Sequence, residues 1–335
     1  MKIYNNYILL FFILTNGAFA QSRADAYRKR MMDSIKNIYL TEAAIRNPAL
    51  RQASITTDVT SGSNIENFVH GNKTFDGRMQ VLRTSALFNV PVHQWGKNSI
   101  STTLSAFQQR FHLTNIMPYQ SNLPDLEGKV FNKFTVGFTG TFLRVDSLFG
   151  HQVVYSASIS GLTSRASSIQ KLSYLGAIIF SLKQTPKVRT GVGLFINIDP
   201  SINVPVVPFF TYWRKFNDDL ELNVNLPQQL TLRKGLSPKL WATLGTSLSG
   251  SIAFFRHNQP GIPQDGNFST IDLKTGPGIE YRFAKKLIFG LNAGFLTNLQ
   301  SREFEVNSKA NDYFLRNKVN PSFFGSFSVS VLPFL

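Results

Sequence analysis

IDLKTGPGIEYRFAKKLIFGLNAGF, residues 271 to 295, alternates with a period of two. Ile271, Leu273, Thr275, Pro277, Ile279, Tyr281 and Phe283 share one face of a first strand, and Asp272, Lys274, Gly276, Gly278, Glu280 and Arg282 share the other. After a turn at Ala284, Lys285 and Lys286, Leu287, Phe289, Leu291, Ala293 and Phe295 oppose Gly290, Asn292 and Gly294. An apolar side set against a polar, glycine-rich side is how a strand reads with hydrocarbon on one face and water on the other. A soluble sandwich, whose apolar faces meet in a core, would produce the same hairpin. The rest of the chain has to separate the two.

Composition favours the membrane. The chain has 30 Phe, 10 Tyr and 23 Gly, only 16% charged residues and a mean hydropathy of -0.06. A helical membrane protein would be far more apolar, and a soluble domain would carry nearer a quarter charged residues. A transmembrane barrel averages a lipid face with a wet face and lands between them.

The first twenty residues form a separate object. Lys2 is the positive start, Tyr7 to Thr15 is a short apolar core, and Ala18-Phe19-Ala20 fits the small-x-small cleavage rule. The expectation is a secreted chain cleaved after Ala20, with residues 21–50 as an N-terminal helical segment and 51–335 as a barrel. No later run approaches ~18 apolar residues, so nothing would halt export in the inner membrane. The absence of cysteine excludes a disulfide scaffold and a lipid anchor on Cys. The net charge of +16 is scattered instead of forming a run, which in an exported chain argues against nucleic acid and for lipid headgroups or a lumen biased toward anions.

Ala24 to Ile45 places Ala24, Tyr27, Met31, Ile35 and Ile38 at helical spacing and ends at Asn47-Pro48, as a periplasmic cap, a tether or a plug helix. From Arg51 onward short period-two strands follow one another. Short turns are expected near residues 93 to 98, 146 to 150, 183 to 187, 216 to 219 and 284 to 286, and long polar loops near 61 to 76, 114 to 130, 255 to 269 and 297 to 319. Short and long connections alternate around the barrel if Arg51 to Thr60 is a strand and Pro227 marks a hairpin, giving about 14 strands, and about 12 otherwise. Trp95, Phe149, Trp213, Phe216, Trp241 and Phe283 fall beside the short turns, where an aromatic girdle would sit. The fold class is therefore all-β: an antiparallel transmembrane β-barrel with a short N-terminal helix.

The signal segment, the Asn47-Pro48-Ala49-Leu50 junction, the Asn89-Val90-Pro91-Val92 and Trp95-Gly96-Lys97-Asn98 hairpin and the closing strand together resemble uncharacterised outer-membrane β-barrel proteins of Bacteroidota. The Asn-Pro-Ala junction is also faintly similar to outer-membrane fatty-acid transporters, which have about 14 strands and an N-terminal plug. The resemblance implies residence in the outer membrane of a Gram-negative cell, with lipid, lipopolysaccharide and the barrel-assembly machinery as partners. Leu335 follows Phe334, whereas most such barrels end on an aromatic residue.

Catalysis finds little support in the residues. A serine nucleophile needs a base, and none of His70, His93, His112, His151 and His257 stands in a lipase-like spacing. No His pair or carboxylate cluster has metal-ligand spacing, and no cofactor is expected. The inward charges say more. The strand phases point Arg83, Lys133, Lys171, Arg189, Arg233, Lys274 and Arg282 into the lumen with Glu221, Asp272 and Glu280. Interior salt bridges filling a closed barrel and a mildly anion-selective pore account for them equally well. The expected function is a passive channel or transporter for a small or hydrophobic solute. A structural or assembly barrel, with Ala24 to Ile45 as its contact to a periplasmic partner, is the alternative, and a lipid-modifying enzyme comes third.

Overall fold

The computed structural model describes Ile38 and residues 40–120, 125–165, 167–199, 205–217, 219–258, 261–306 and 308–333. The signal segment and most of the expected helix Ala24 to Ile45 lie outside the described residues. Within the N-terminal unit the backbone is helical from 40 to 46 and continues into a 3-10 turn at Pro48–Leu50, where the Asn47 side chain accepts from the Ala49 amide at 3.2 Å.

The second unit, Gln52–Val331, is a closed antiparallel sheet. In chain order its strands are β1 (Ala53–Thr60), β2 (Ser63–Val69), β3 (Asn72–Trp95), β4 (Asn98–Pro118), β5 (Val130–Leu148), β6 (His151–Thr163), β7 (Lys171–Gln184) and β8 (Val188–Ile198). There follow β9 (Val206–Lys215), β10 (Leu220–Leu226), β11 (Gln229–Ser237), β12 (Leu240–Arg256), β13 (Asp265–Arg282), β14 (Leu287–Glu305), β15 (Tyr313–Val319) and β16 (Ser322–Val331). Two staves of the wall are each made of two strands. β1 and β2 both pair with β3, β15 and β16 both pair with β14, and β1 meets β16 while β2 meets β15. The result is a 14-stave up-and-down barrel, closed by Ala53 opposite Val331.

Both chain ends of the wall lie at one rim, which also carries the tight turns at 96–97, 149–150, 185–187 and 238–239. Pro227 does mark a hairpin, between β10 and β11 at the opposite rim. Two long loops expected from the sequence are strands instead. Residues 61 to 76 form β2, a two-residue turn at His70-Gly71 and the start of β3, while 297 to 319 hold the end of β14 and β15. Both turn residues have positive φ, 47° and 81°, the pair of values that a twisted two-residue hairpin requires. The polarity that suggested loops has a plain cause. Both faces of these strand ends carry polar residues, Glu66, Lys73, Lys318 and Arg302 among them, mixed with apolar ones such as Ile65 and Phe75, so the contrast between faces fades while the hydrogen-bond ladder continues.

The strands differ greatly in length, and this shapes the interior. β10 has 7 residues and β11 has 9, whereas β3 has 24 and β4 has 21. The upper part of β5, residues 130 to 135, therefore has no partner on β6, and β12 beyond Leu248 has none on β11. These two bare edges come into contact, so the fourteen-stave wall narrows above β6–β11 to the strands from β12 through β14, β15, β2 and β3 to β5.

Pro277 lies where the ladder between β13 and β14 lapses, from Thr275 to Gly278. There the two backbones pass so closely that a Cβ at Gly276 would meet the carbonyl oxygen of Ala293, and one at Gly294 the carbonyl of Thr275. Gly276→Val should lower unfolding stability by about 1–3 kcal/mol through overpacking, read as an earlier urea midpoint, whereas Gly325→Val, with open space around its Cβ position, should leave the midpoint nearly unchanged.

Candidate functional site: the barrel interior

The narrowed part of the barrel is filled by apolar side chains from facing walls. Ile65, Phe75, Met79, Val81, Phe111, Leu113, Ala253 and Phe268 form one buried cluster, with Phe131 and Phe255 packed against it. The rings of Phe111 and Phe268 meet edge to face at 5.6 Å, and Phe255 reaches Phe268 at 5.6 Å and Phe131 at 6.3 Å. These residues alternate with outward ones on strands whose inner positions elsewhere hold Ser, Thr, Asn and Gly. A water-filled lumen would be polar here.

Beneath the cluster lies a polar floor. Arg83 on β3 reaches across the interior to Asp272 on β13, which is 1% exposed, and also donates to Thr270 at 3.2 Å. Asn298 donates to the other Asp272 oxygen at 2.7 Å, and Lys274 pairs with Asp58 at 2.5 Å. Gln109 spans the seam between the bare edges: its amide donates to the Ile252 carbonyl at 2.8 Å and accepts from Ser251 at 3.0 Å. An edge carbonyl without a ladder partner thus finds a side-chain donor. A cavity of about 30 Å³ between Arg83, Thr60, Ser63 and Asn298 has room for one or two waters.

The remaining inward charges gather elsewhere. Lys133 sits 4.0 Å over the Phe255 ring beside the seam, near a close contact of His257 with buried Glu303 at 2.6 Å. Lys171 pairs with Asp199 at 2.9 Å. Toward the turn rim Arg189 lies 5.2 Å over Trp213, whose indole donates to Glu221 at 3.2 Å. Arg233 and Arg282 lie 4.7 Å and 6.0 Å from the Trp241 ring, and Arg233 approaches Glu280 at 3.9 Å. Trp213 and Trp241 therefore share the face of Glu221 and Glu280 and do not belong to an outer girdle: each falls at the inner phase of its strand, opposite Arg189 and Glu280 respectively. Trp95, at 41% exposure, and Phe283, at 63%, remain outside.

Of the ten charged residues that the alternation singled out, the structure joins Arg83 to Asp272 and Arg233 to Glu280, and gives Lys274 and Lys171 partners that were not foreseen, Asp58 and Asp199. Asp58 had a signal in the sequence, since it alternates with Thr57 and Val59 on β1. Gln109 and Glu303 had none, because their importance depends on which strand ends meet across the interior. Among the described residues no group of three His, Cys, Asp or Glu side chains is placed to hold a metal ion. His93 stacks on Trp95 at 5.4 Å, while His70 contacts the Gly261 carbonyl at 3.1 Å.

Residues 153–332, from β6 through β16, match the model of a family described as a domain of unknown function (DUF6268). The chain belongs to this family. No curated protein matches it. Among solved structures the DUF6268 chain is similar to an outer-membrane channel of Pseudomonas putida F1, at 9% identity over 84% of this chain and 96% of that one, with a TM-score of 0.35. It is similar to the Pseudomonas putida toluene transporter TodX, at 12% identity over 86% and 92%, TM-score 0.28. A FadL homologue of Pseudomonas aeruginosa aligns at 9% identity over 87% and 93%, TM-score 0.29.

The polar floor generates a stability prediction. Asp272→Ala leaves the Arg83 guanidinium buried without its carboxylate and should cost about 3–5 kcal/mol. The double change Arg83→Ala with Asp272→Ala should cost clearly less than the sum of the two single changes, as read from urea unfolding of all four proteins.

Proposed function

We propose that this DUF6268 protein is an outer-membrane barrel that conducts a small apolar solute and rests closed at the loop rim. Its outer face supports the membrane. Side chains such as Ile279, Leu291, Phe295 and Phe323 are all more than half exposed, on neighbouring strands of the wall, and only hydrocarbon makes so large an apolar belt stable. The expected signal segment supports export and outer-membrane residence.

The observation that carries the choice of solute is the aromatic cluster inside the narrowed barrel. Inner-facing Phe75, Phe111, Phe255 and Phe268 carry no hydrogen-bonding group for the polar atoms of an ion's hydration shell or a sugar, and they match an apolar molecule that displaces their mutual contacts. Below them the wall is lined by hydroxyls such as Thr139, Thr141, Ser156 and Ser158, which suit a wet lower lumen. The seam between β5 and β12 is the natural gate. Its edges meet through side chains, among them Gln109, Lys133 and Phe255, without a backbone ladder, so separating them breaks few hydrogen bonds.

The same closure favours a second reading, a structural or assembly barrel with a permanently packed interior. Conductance separates the two. In planar bilayers the wild type should give small, infrequent openings, and Arg83→Ala combined with Gln109→Ala should raise the open fraction at least several-fold. Cells lacking the protein should take up a labelled hydrophobic tracer more slowly. A silent loosened variant together with unchanged uptake would leave only the structural reading.

A further inference from the structure

Basic residues crowd the turn rim. Every turn there except Phe149-Gly150 carries or adjoins a lysine, among them Lys97, Lys187 and Lys239. Three further cations stand on the outer face itself. Lys183 on β7 pairs with outward Thr190, Arg214 on β9 with outward Leu222, and Lys234 on β11 with outward Leu220, and all three are exposed. Each lies within three residues of its strand's last residue, Gln184, Lys215 and Ser237, so they occupy one level of the rim. Alternate strands place neighbouring members of the set roughly 10 Å apart.

Among the described residues, the carboxylates nearest these cations, Asp219 and Glu221, are engaged elsewhere. Asp219 is held by Lys215 at 2.6 Å, and that ammonium keeps its carboxyl below the usual carboxylate range. Glu221 is buried on the inner face against the Trp213 indole. Arg214 lies over the Phe216 ring at 4.8 Å, just past the end of β9. Directly above the cations, the outer face of the same strands carries Phe210, Leu230 and Leu232, each more than a third exposed.

We propose that Lys183, Arg214 and Lys234 form a binding site for the phosphate headgroup of anionic phospholipid in the leaflet at the turn rim. Cations at the membrane surface with exposed apolar side chains immediately above match a phosphodiester and its acyl chains in a single orientation. Arg214 can hold the phosphate through two parallel donors, and the lysines supply flexible point charges on either side. The site rests on the membrane-spanning reading given above.

The test uses the full-length protein in vesicles of phosphatidylcholine alone, or of phosphatidylcholine mixed with phosphatidylglycerol. Resistance to a carbonate wash reports insertion, and a protein removed from both vesicles defeats the membrane reading itself. For inserted protein, phosphatidylglycerol should raise the Tm by several degrees and raised salt should erode the gain. The variant K183Q/R214Q/K234Q should lose most of it, while K183R/K234R, which leaves the Arg214 fork in place, should keep it. An inserted wild type with equal Tm in both vesicles, or a glutamine variant with the full gain, overturns the site while leaving the barrel intact.

Discussion

Closure of the backbone ladder is the constraint on which everything else depends. A sheet edge exposed to hydrocarbon leaves amide and carbonyl groups with no partner, at several kcal/mol for each group. The pairing of β1 with β16, from Ala53 opposite Val331 to Thr60 opposite Phe324, removes the last edge inside the belt. Where the wall does leave edges bare, on upper β5 and upper β12, they are turned toward each other and the Ile252 carbonyl is satisfied by Gln109. Side-chain chemistry completes there what the ladder cannot.

The interior follows from that geometry. A fourteen-stave ring is too wide for side chains to fill, but the narrower ring above β6–β11 is not, and there the inner positions change from hydroxyls to Phe, Met and Ile. The boundary between the two regimes is the layer of Arg83, Asp272, Thr270 and Asn298. Breaking a buried ion pair by removing one partner is costly because it leaves an uncompensated charge, and this one joins two walls that are distant in sequence. The inward charges are thus divided by height: bonded across the interior at the floor, and stacked on tryptophan near the turn rim.

Much of this was legible in the sequence because a strand inside the belt writes its two environments into alternate residues. The hairpin at residues 271 to 295 follows from that alternation, whereas the choice of fourteen staves over twelve depends on Pro227 marking a hairpin and Arg51 to Thr60 being a strand, and the structure has both. It failed where the contrast between faces vanished. Ser63 to Val69 and Tyr313 to Val319 are strands with polar residues on both faces, so their pattern was that of loops. Trp213 and Trp241 were misplaced for a different reason. Tryptophan near a membrane surface suits a girdle, but each sits at the inner phase of its strand beside an arginine, and phase should have outweighed residue type.

Unequal wall height has a consequence for the surrounding bilayer. Seven residues of β10 and nine of β11, at about 3.3 Å per residue and tilted, span less than the ~25 Å apolar band usual for such barrels. The long staves on the other side exceed it. On the proposed membrane-spanning reading, a bilayer in contact with the whole circumference is thinner beside β9 to β11 than beside β3 and β4, which gives the lipid around the barrel a thickness gradient.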